Sequence, residues 1–317
     1  MSDHPALTDA LQKNQTAKKG SVIAVYCVCL DQWRQHDMGD WRIAFQLRCL
    51  HVLQNELARL HIPLVVLNLG AFDDCAQALL EVAQKHNVGH LSFIDEYPLN
   101  ERKRDAHVVK LFLEHRLYVE RFVADVLVAP GVLQTGKDTP YTVFTPYYKR
   151  WKATVVGNWQ RCLASPSPQS IPTDQKLPKL QEPIKIHGFD QLQLGENFWP
   201  AGEHEAQRRL ARFIDEALTD YGTGRDRPDI DGTSGLSAYL AVGCISPRQC
   251  VEALVNPDLL QGNSSAAEGA TKWLSEIAWR DFYRQIVAQF DHVNKGECFR
   301  QEYNHLPWRR DNTDFIA

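Results

Sequence analysis

The chain has 317 residues, 44% hydrophobic and 23% charged, with a net charge of −4, an ordinary globular composition long enough for two domains with sizeable cores. The negative balance argues against a protein that coats nucleic acid through a broad basic surface, though not against a local basic patch. No apolar run approaches the ~20 residues that span a bilayer, Met1 to Gly20 is too polar for a signal peptide, and the eight cysteines are scattered without a C-x-x-C pair, so the expectation is a cytoplasmic protein, without metal, whose thiols stay reduced.

SVIAVYCVCL, Ser21 to Leu30, is a nearly continuous apolar run and predicts a strand buried on both faces. Trp41 to His61 has helical periodicity, and Ile62 to Gly70 follows as a second strand. Asp73 to Asn87 predicts a helix, His90 to Glu96 a strand, Asp105 to Leu117 a helix and Arg121 to Pro130 a last strand or strand pair. Strands alternating with helices indicate a doubly wound parallel, Rossmann-like domain over residues 1–130. No G-x-G-x-x-G follows the first strand, so the dinucleotide-dehydrogenase fingerprint is missing.

Residues 131–195 are expected to link two domains; Ser165 to Gly188 is rich in Pro, Ser and Gln and has no sustained period. From residue 196 to 317 the pattern is helical, which makes the whole an α/β domain followed by an all-α one. The helix beginning near Glu203 is expected to end at Gly222 as its C′ residue. Ser246-Pro247-Arg248-Gln249 predicts a helix start with a capping box, and Ser265 with Glu268 a second one. Tyr147 to Arg161 and Arg300 to Asp311 interleave bases with aromatics, the pattern of a nucleic-acid contact or of a plain amphipathic surface.

TKWLSEIAWRDFYRQ, Thr271 to Gln285, is the most informative stretch. Glu276, Trp279, Arg280 and Tyr283 recur at spacings of three and four and share one helix face, with Trp273 at its border. A solvated face would lack Trp and a core face would lack Glu and Arg. Two readings stand: a cavity wall where flat π-systems stack beside a carboxylate, or a half-buried helix with an internal Glu276–Arg280 pair.

This segment resembles the flavin- and DNA-contacting helix of the photolyase/cryptochrome family, W-L-x-E-(I/L)-x-W-R-(D/E)-F-Y-R. Glu196 to Cys250 is similar to the entry to the family's flavin domain, Pro140 to Trp151 to its P-Y-x-V-F-T-P-F signature and Asn100 to Val108 to its N-E-R-x-R-D stretch, all in the family's order. Bacterial class I cyclobutane pyrimidine dimer photolyases are the group most resembled. The resemblance implies light-driven DNA repair: reduced FAD, excited by blue light, passes an electron to a flipped-out pyrimidine dimer, the cyclobutane ring splits, and the electron returns. Base flipping by photolyases is a general property of these enzymes.

Carried over residue by residue, the resemblance assigns Tyr221, Thr233, Ser234, Gly235, Leu236 and Ser237 to the FAD diphosphate segment. Trp273, Glu276 and Arg280 would enclose the flavin and its substrate, Trp279 would wall the flipped dimer, and Glu276 would hydrogen-bond the base edge. Arg225 would lie near DNA. His36, Asn100, Glu101 and Lys295 would hold a 5,10-methenyltetrahydrofolate antenna, and Trp308 would be a surface electron-transfer tryptophan unless it merely packs under Arg309 or Arg310. Gly235 departs from the family, which often has a basic residue there. The expected partner is DNA containing cyclobutane dimers, bound by a monomer without a membrane. Both ends read as cut: the strand preceding the helix of DHPALTDAL is absent, and the chain stops at DNTDFIA within an incomplete helical domain. The alternatives are a cryptochrome-type photoreceptor and an inactive fragment that binds only a nucleotide or folate.

Overall fold

The computed structural model describes residues 1–17, 20–171, 178, 184, 186–254 and 264–308. It begins with α1 (Pro5–Ala17), β1 (Ala24–Cys29), α2 (Leu30–Gln35), α3 (Asp40–Arg59) and β2 (Leu64–Leu69). A 3-10 turn over Phe72–Asp74 leads into α4 (Cys75–Lys85), followed by β3 (His90–Ile94), α5 (Leu99–Glu114) and β4 (Tyr118–Phe122). Every described strand pair is parallel, as crossover helices require, and the architecture is the expected α/β domain followed by helices. The strands form two pairs: β1 with β2 in the register Ala24↔Leu64, and β3 with β4 in the register His90↔Tyr118. Helix α1 lies against β3 and β4, where Ser92 donates to Asp9 (2.9 Å) and Lys13 pairs with Asp9 (2.8 Å) and Glu120.

Three local expectations shift. The apolar run at Ser21 to Leu30 is a strand only over Ala24–Cys29, with Val28 and Cys29 alone fully buried, and Leu30 already opens α2. With a strand neighbour on one edge only among the described residues, the earlier residues of β1 remain partly accessible. The last strand stops at Phe122, and Val123 to Pro130 runs on as irregular chain. The helix predicted to end at Gly222 ends instead at Glu216, and Gly222 sits inside a separate short turn of helix.

The helical part comprises α6 (Phe144–Gly157), α7 (Glu203–Glu216), α8 (Tyr221–Gly224), α9 (Ser237–Ala241), α10 (Pro247–Glu252), α11 (Ser265–Gln289) and α12 (Asp291–Asn294), then a 3-10 turn over Gln301–His305. Ser246 caps α10 as its spacing predicts, accepting from Gln249 N–H (3.0 Å) while Gln249 Oε1 accepts from Ser246 N–H (2.8 Å). The cap of α11 falls one residue earlier than expected: Ser264, not Ser265, accepts from Ala267 N–H (3.3 Å). Helix α6, inside the span expected to be linker, buries Tyr147, Trp151 and Val155 in the helical core beside Phe213, Tyr239, Trp273 and Leu274.

Among its described residues, the Pro- and Ser-rich connector is pinned at single buried residues between exposed ones. Gln169 is 4% exposed, and its amide accepts from Val22 N–H (2.7 Å) and donates to the Val22 (2.9 Å) and His61 (2.8 Å) carbonyls. Ile184, Ile186 and Phe189 join the core formed by α3 and the first strand pair. A buried amide that satisfies three backbone groups outweighs the local preference for an open chain. Among the described residues no helix is long and apolar enough to cross a membrane.

Candidate functional site

Helix α11 has two unlike faces. Trp273, Leu274, Ile277, Ala278, Asp281, Phe282 and Gln285 are buried, spaced by three and four as a core-facing stripe must be. Glu276, Trp279 and Arg280 are half-buried, and Tyr283 is 59% exposed. Trp273 therefore belongs to the core face: it is 2% exposed and its ring lies 4.9 Å from Phe213. The Glu276–Arg280 pair anticipated within the helix does not form, because both side chains reach to other elements.

Glu276 pairs with Arg225, the residue capping α8, and hydrogen bonding to that carboxylate raises the Arg225 pKa. Arg225 also lies over the Tyr221 ring at 5.6 Å, and Tyr221 meets Phe213 edge-on at 5.3 Å. The expected DNA-contacting arginine and the expected substrate-binding carboxylate thus touch, about 50 residues apart in sequence. Arg280 is committed to Asp125, bonding both its carbonyl and its carboxylate, and Arg284 forms an ion pair with the same carboxylate at 2.9 Å.

Trp279 stacks on Phe144 at 3.6 Å with 8° between the planes, and Tyr283 stacks beside it at 5.5 Å. One π-face of Trp279 is thereby occupied within the protein. Because the stack and half-burial are structural, Trp279→Ala is expected to cost about 2 kcal/mol in urea denaturation, less than a fully buried tryptophan, with Trp279→Phe losing under about half of that. A neutral Trp279→Ala would mean that the Phe144 stack carries no stability.

Thr233, Ser234 and Gly235 border an open recess whose other walls are Arg209, Arg212, Phe213, Glu216, Ala217 and Asp231. Gly235 adopts φ +60, a conformation that L side chains rarely adopt. Leu236 is buried and Ser237 opens α9. Hydroxyls sharing a recess with the Arg209 guanidinium suit an anion such as a phosphate, whereas Arg212 is already neutralised by Glu216 and Asp231, so the Arg209 end fits the diphosphate of FAD. The residues expected at the ring end contact other protein groups instead, Trp273 the Phe213 ring, Glu276 the Arg225 guanidinium and Arg280 the Asp125 carboxylate, and none of them lines this recess.

At the start of α5 the Asn100 amide and His36 Nε2 are 3.1 Å apart. Glu101 is adjacent, its carboxyl held above the usual range by burial. Leu99 N–H donates to Asn294 Oδ1 (3.1 Å), which brings α12 and the following Lys295 alongside. Three expected antenna residues and the neighbourhood of the fourth therefore converge. Trp308 is 74% exposed, while Arg309 and Arg310 lie outside the described residues.

Sequence reasoning missed Asp281. It is buried within α11, its carboxyl pushed up to about 6 chiefly by burial, and it accepts from Trp151 Nε1 (2.8 Å), Leu127 N–H (2.8 Å) and Val128 N–H (3.1 Å). With Arg280 and Arg284 on Asp125, it fastens the chain after β4 to the helical domain. The signal was present: an aspartate at core spacing between Ala278 and Phe282.

The DNA photolyase family profile matches residues 1–170. Over 96% of its length the chain is 31% identical to a deoxyribodipyrimidine photo-lyase of Neurospora crassa, covering 52% of that protein. Over 93% of its length it is 31% identical to a deoxyribodipyrimidine photo-lyase of Salmonella typhimurium, covering 61% of it. The chain thus spans between about half and two thirds of these relatives' lengths. A bacterial class III photolyase structure from Agrobacterium tumefaciens superposes with a TM-score of 0.76 at 24% identity, over all of this chain and 62% of that one, which speaks to the fold.

Proposed function

Because this chain belongs to the DNA photolyase family, we propose that it serves light-driven repair of cyclobutane pyrimidine dimers in DNA, as a deoxyribodipyrimidine photo-lyase. The observation that carries this is the contact between Glu276 and Arg225 on the half-buried rim of α11, next to Trp279. A guanidinium that can meet a phosphate, a carboxylate that can accept from a base edge and an aromatic wall are the groups a flipped base requires. FAD would be held by Tyr221 and the Thr233 to Ser237 segment and would supply the photoexcited electron that splits the cyclobutane ring, taking it back once the ring has opened. The protein's own residues bind and orient: Arg225 fixes one Glu276 oxygen, and Glu276 stabilises charge that develops on the dimer. His36, Asn100, Glu101 and Lys295 are proposed to hold a folate antenna, and Trp308 to pass electrons at the surface.

The test is repair under blue light, read as loss of dimers from damaged DNA. Glu276→Gln is expected to lower repair yield per absorbed photon roughly tenfold, the weight of one charge-assisted hydrogen bond at a developing charge, while DNA affinity changes little. Equal yields in variant and parent would remove Glu276 from the reaction. A photoreceptor on the same scaffold would instead bind flavin and leave dimers intact.

A further inference from the structure

Arg209 is held more firmly than a surface arginine needs to be. Its Nε donates to Glu205 (2.9 Å) and its Nη2 to the Phe198 carbonyl (2.9 Å), and its guanidinium lies over Trp199 at 5.2 Å and Tyr239 at 5.5 Å. The remaining arm, Nη1, is directed to Gly235: a Cβ built there would come within 3.1 Å of it. Residue 235 thus leaves open the space beside the guanidinium, at the edge of the recess bordered by the Thr233 and Ser234 hydroxyls.

The charges around this recess are unevenly matched. Glu205 serves both Arg208 (2.8 Å) and Arg209 (2.9 Å), one acid against two bases. Arg212, on the same wall, is matched twice over by Glu216 (2.8 Å) and Asp231 (3.1 Å). The positive end is therefore the Arg209–Gly235 end, next to the hydroxyls, and the Asp231 end is negative. A guanidinium fixed on two arms, with its third directed to Gly235 in the recess that Thr233 and Ser234 also line, is pre-organised for a phosphate oxygen.

We propose that Arg209 is the cation of the diphosphate subsite and makes the site prefer a flavin dinucleotide over a flavin without phosphate. This rests on the FAD assignment above, to which it adds a residue from α7, outside the Tyr221 to Ser237 segment. The experiment is titration of the apoprotein with FAD and with riboflavin, followed by flavin fluorescence, for the parent, Arg209→Gln, Arg209→Lys and Arg212→Gln. Arg209→Gln is expected to weaken FAD about tenfold and leave riboflavin unchanged, Arg209→Lys to recover part of the loss, and Arg212→Gln to change FAD less than about threefold. In the parent, raising salt from about 0.05 to 0.5 M is expected to weaken FAD and spare riboflavin. That arm needs no variant and holds even if Arg209→Gln folds poorly. An Arg209→Gln protein with parental FAD affinity, an equal loss for both flavins, or a salt-insensitive FAD affinity overturns the role of Arg209 while the photolyase assignment stands. A parent that binds neither flavin overturns both.

Discussion

Replacing Asp281 by alanine is expected to destabilise the protein by about 3–5 kcal/mol, because it leaves buried donors without their acceptor. One carboxylate oxygen, Oδ2, accepts all three bonds, from the Trp151 indole and from the Leu127 and Val128 backbone. Trp151 is fully buried, and none of the three groups can turn to water without opening the junction between the domains. Asp281→Asn keeps an oxygen in that place and is expected to cost about 1–2 kcal/mol at neutral pH.

The pH dependence separates burial from hydrogen bonding. The folded pKa of Asp281 is raised from 3.8 to about 6, so the folded state binds a proton that the unfolded state releases. Its stabilising contribution is complete below about pH 4 and is lost as pH rises through about 6, on the order of 3 kcal/mol for two units of difference. Asparagine does not titrate. Its deficit relative to the parent, from urea denaturation, is therefore expected to be larger at about pH 4.5 than at about pH 7. A deficit that grows toward pH 7 would reverse the sign and place the donated hydrogen bonds above burial.

The alternation of strands and helices was legible because each element carries its own period: β2 and α3 lie within two residues of their predicted bounds. The Ser246 cap was legible for the same reason, since a capping box is settled within four residues. What escaped was long-range. Asp281 and Leu127 are 154 positions apart, as are Gln169 and Val22 by 147, and their partners are mostly backbone groups, which leave no mark on residue type. Strand pairing also escaped, since an apolar run shows that a strand is covered but not by which neighbour. At the site, family motifs located Arg225 and Glu276 separately, while their contact is a product of the fold. Arg209 carries no motif at all; its meaning comes from the glycine it faces.

Gly269→Ala is the second large effect. In a helix interior alanine ordinarily gains about 1 kcal/mol over glycine, and Gly269 lies in the second turn of α11. Here a Cβ would fall 1.8 Å from the Leu218 carbonyl oxygen and 2.9 Å from its carbon. The obstacle is backbone, in the connector between α7 and α8, and cannot swing aside as a side chain would. Leu218 is itself 2% exposed, and its carbonyl accepts from Tyr221 N–H at 3.2 Å. Helix and connector must therefore separate by more than 1 Å, opening the core around Phe213 and Trp273, with an expected net loss of about 3 kcal/mol or more. Tyr221 and Arg225 move with that connector, so the Arg225–Glu276 contact should weaken as well. Gly222→Ala supplies the comparison: nothing lies within 4 Å of its Cβ, and the change should be neutral or stabilising by up to about 1 kcal/mol. Parallel urea melts decide the matter: if Gly269→Ala is as stable as Gly222→Ala, the backbone of α11 does not approach Leu218 as closely as the fold requires.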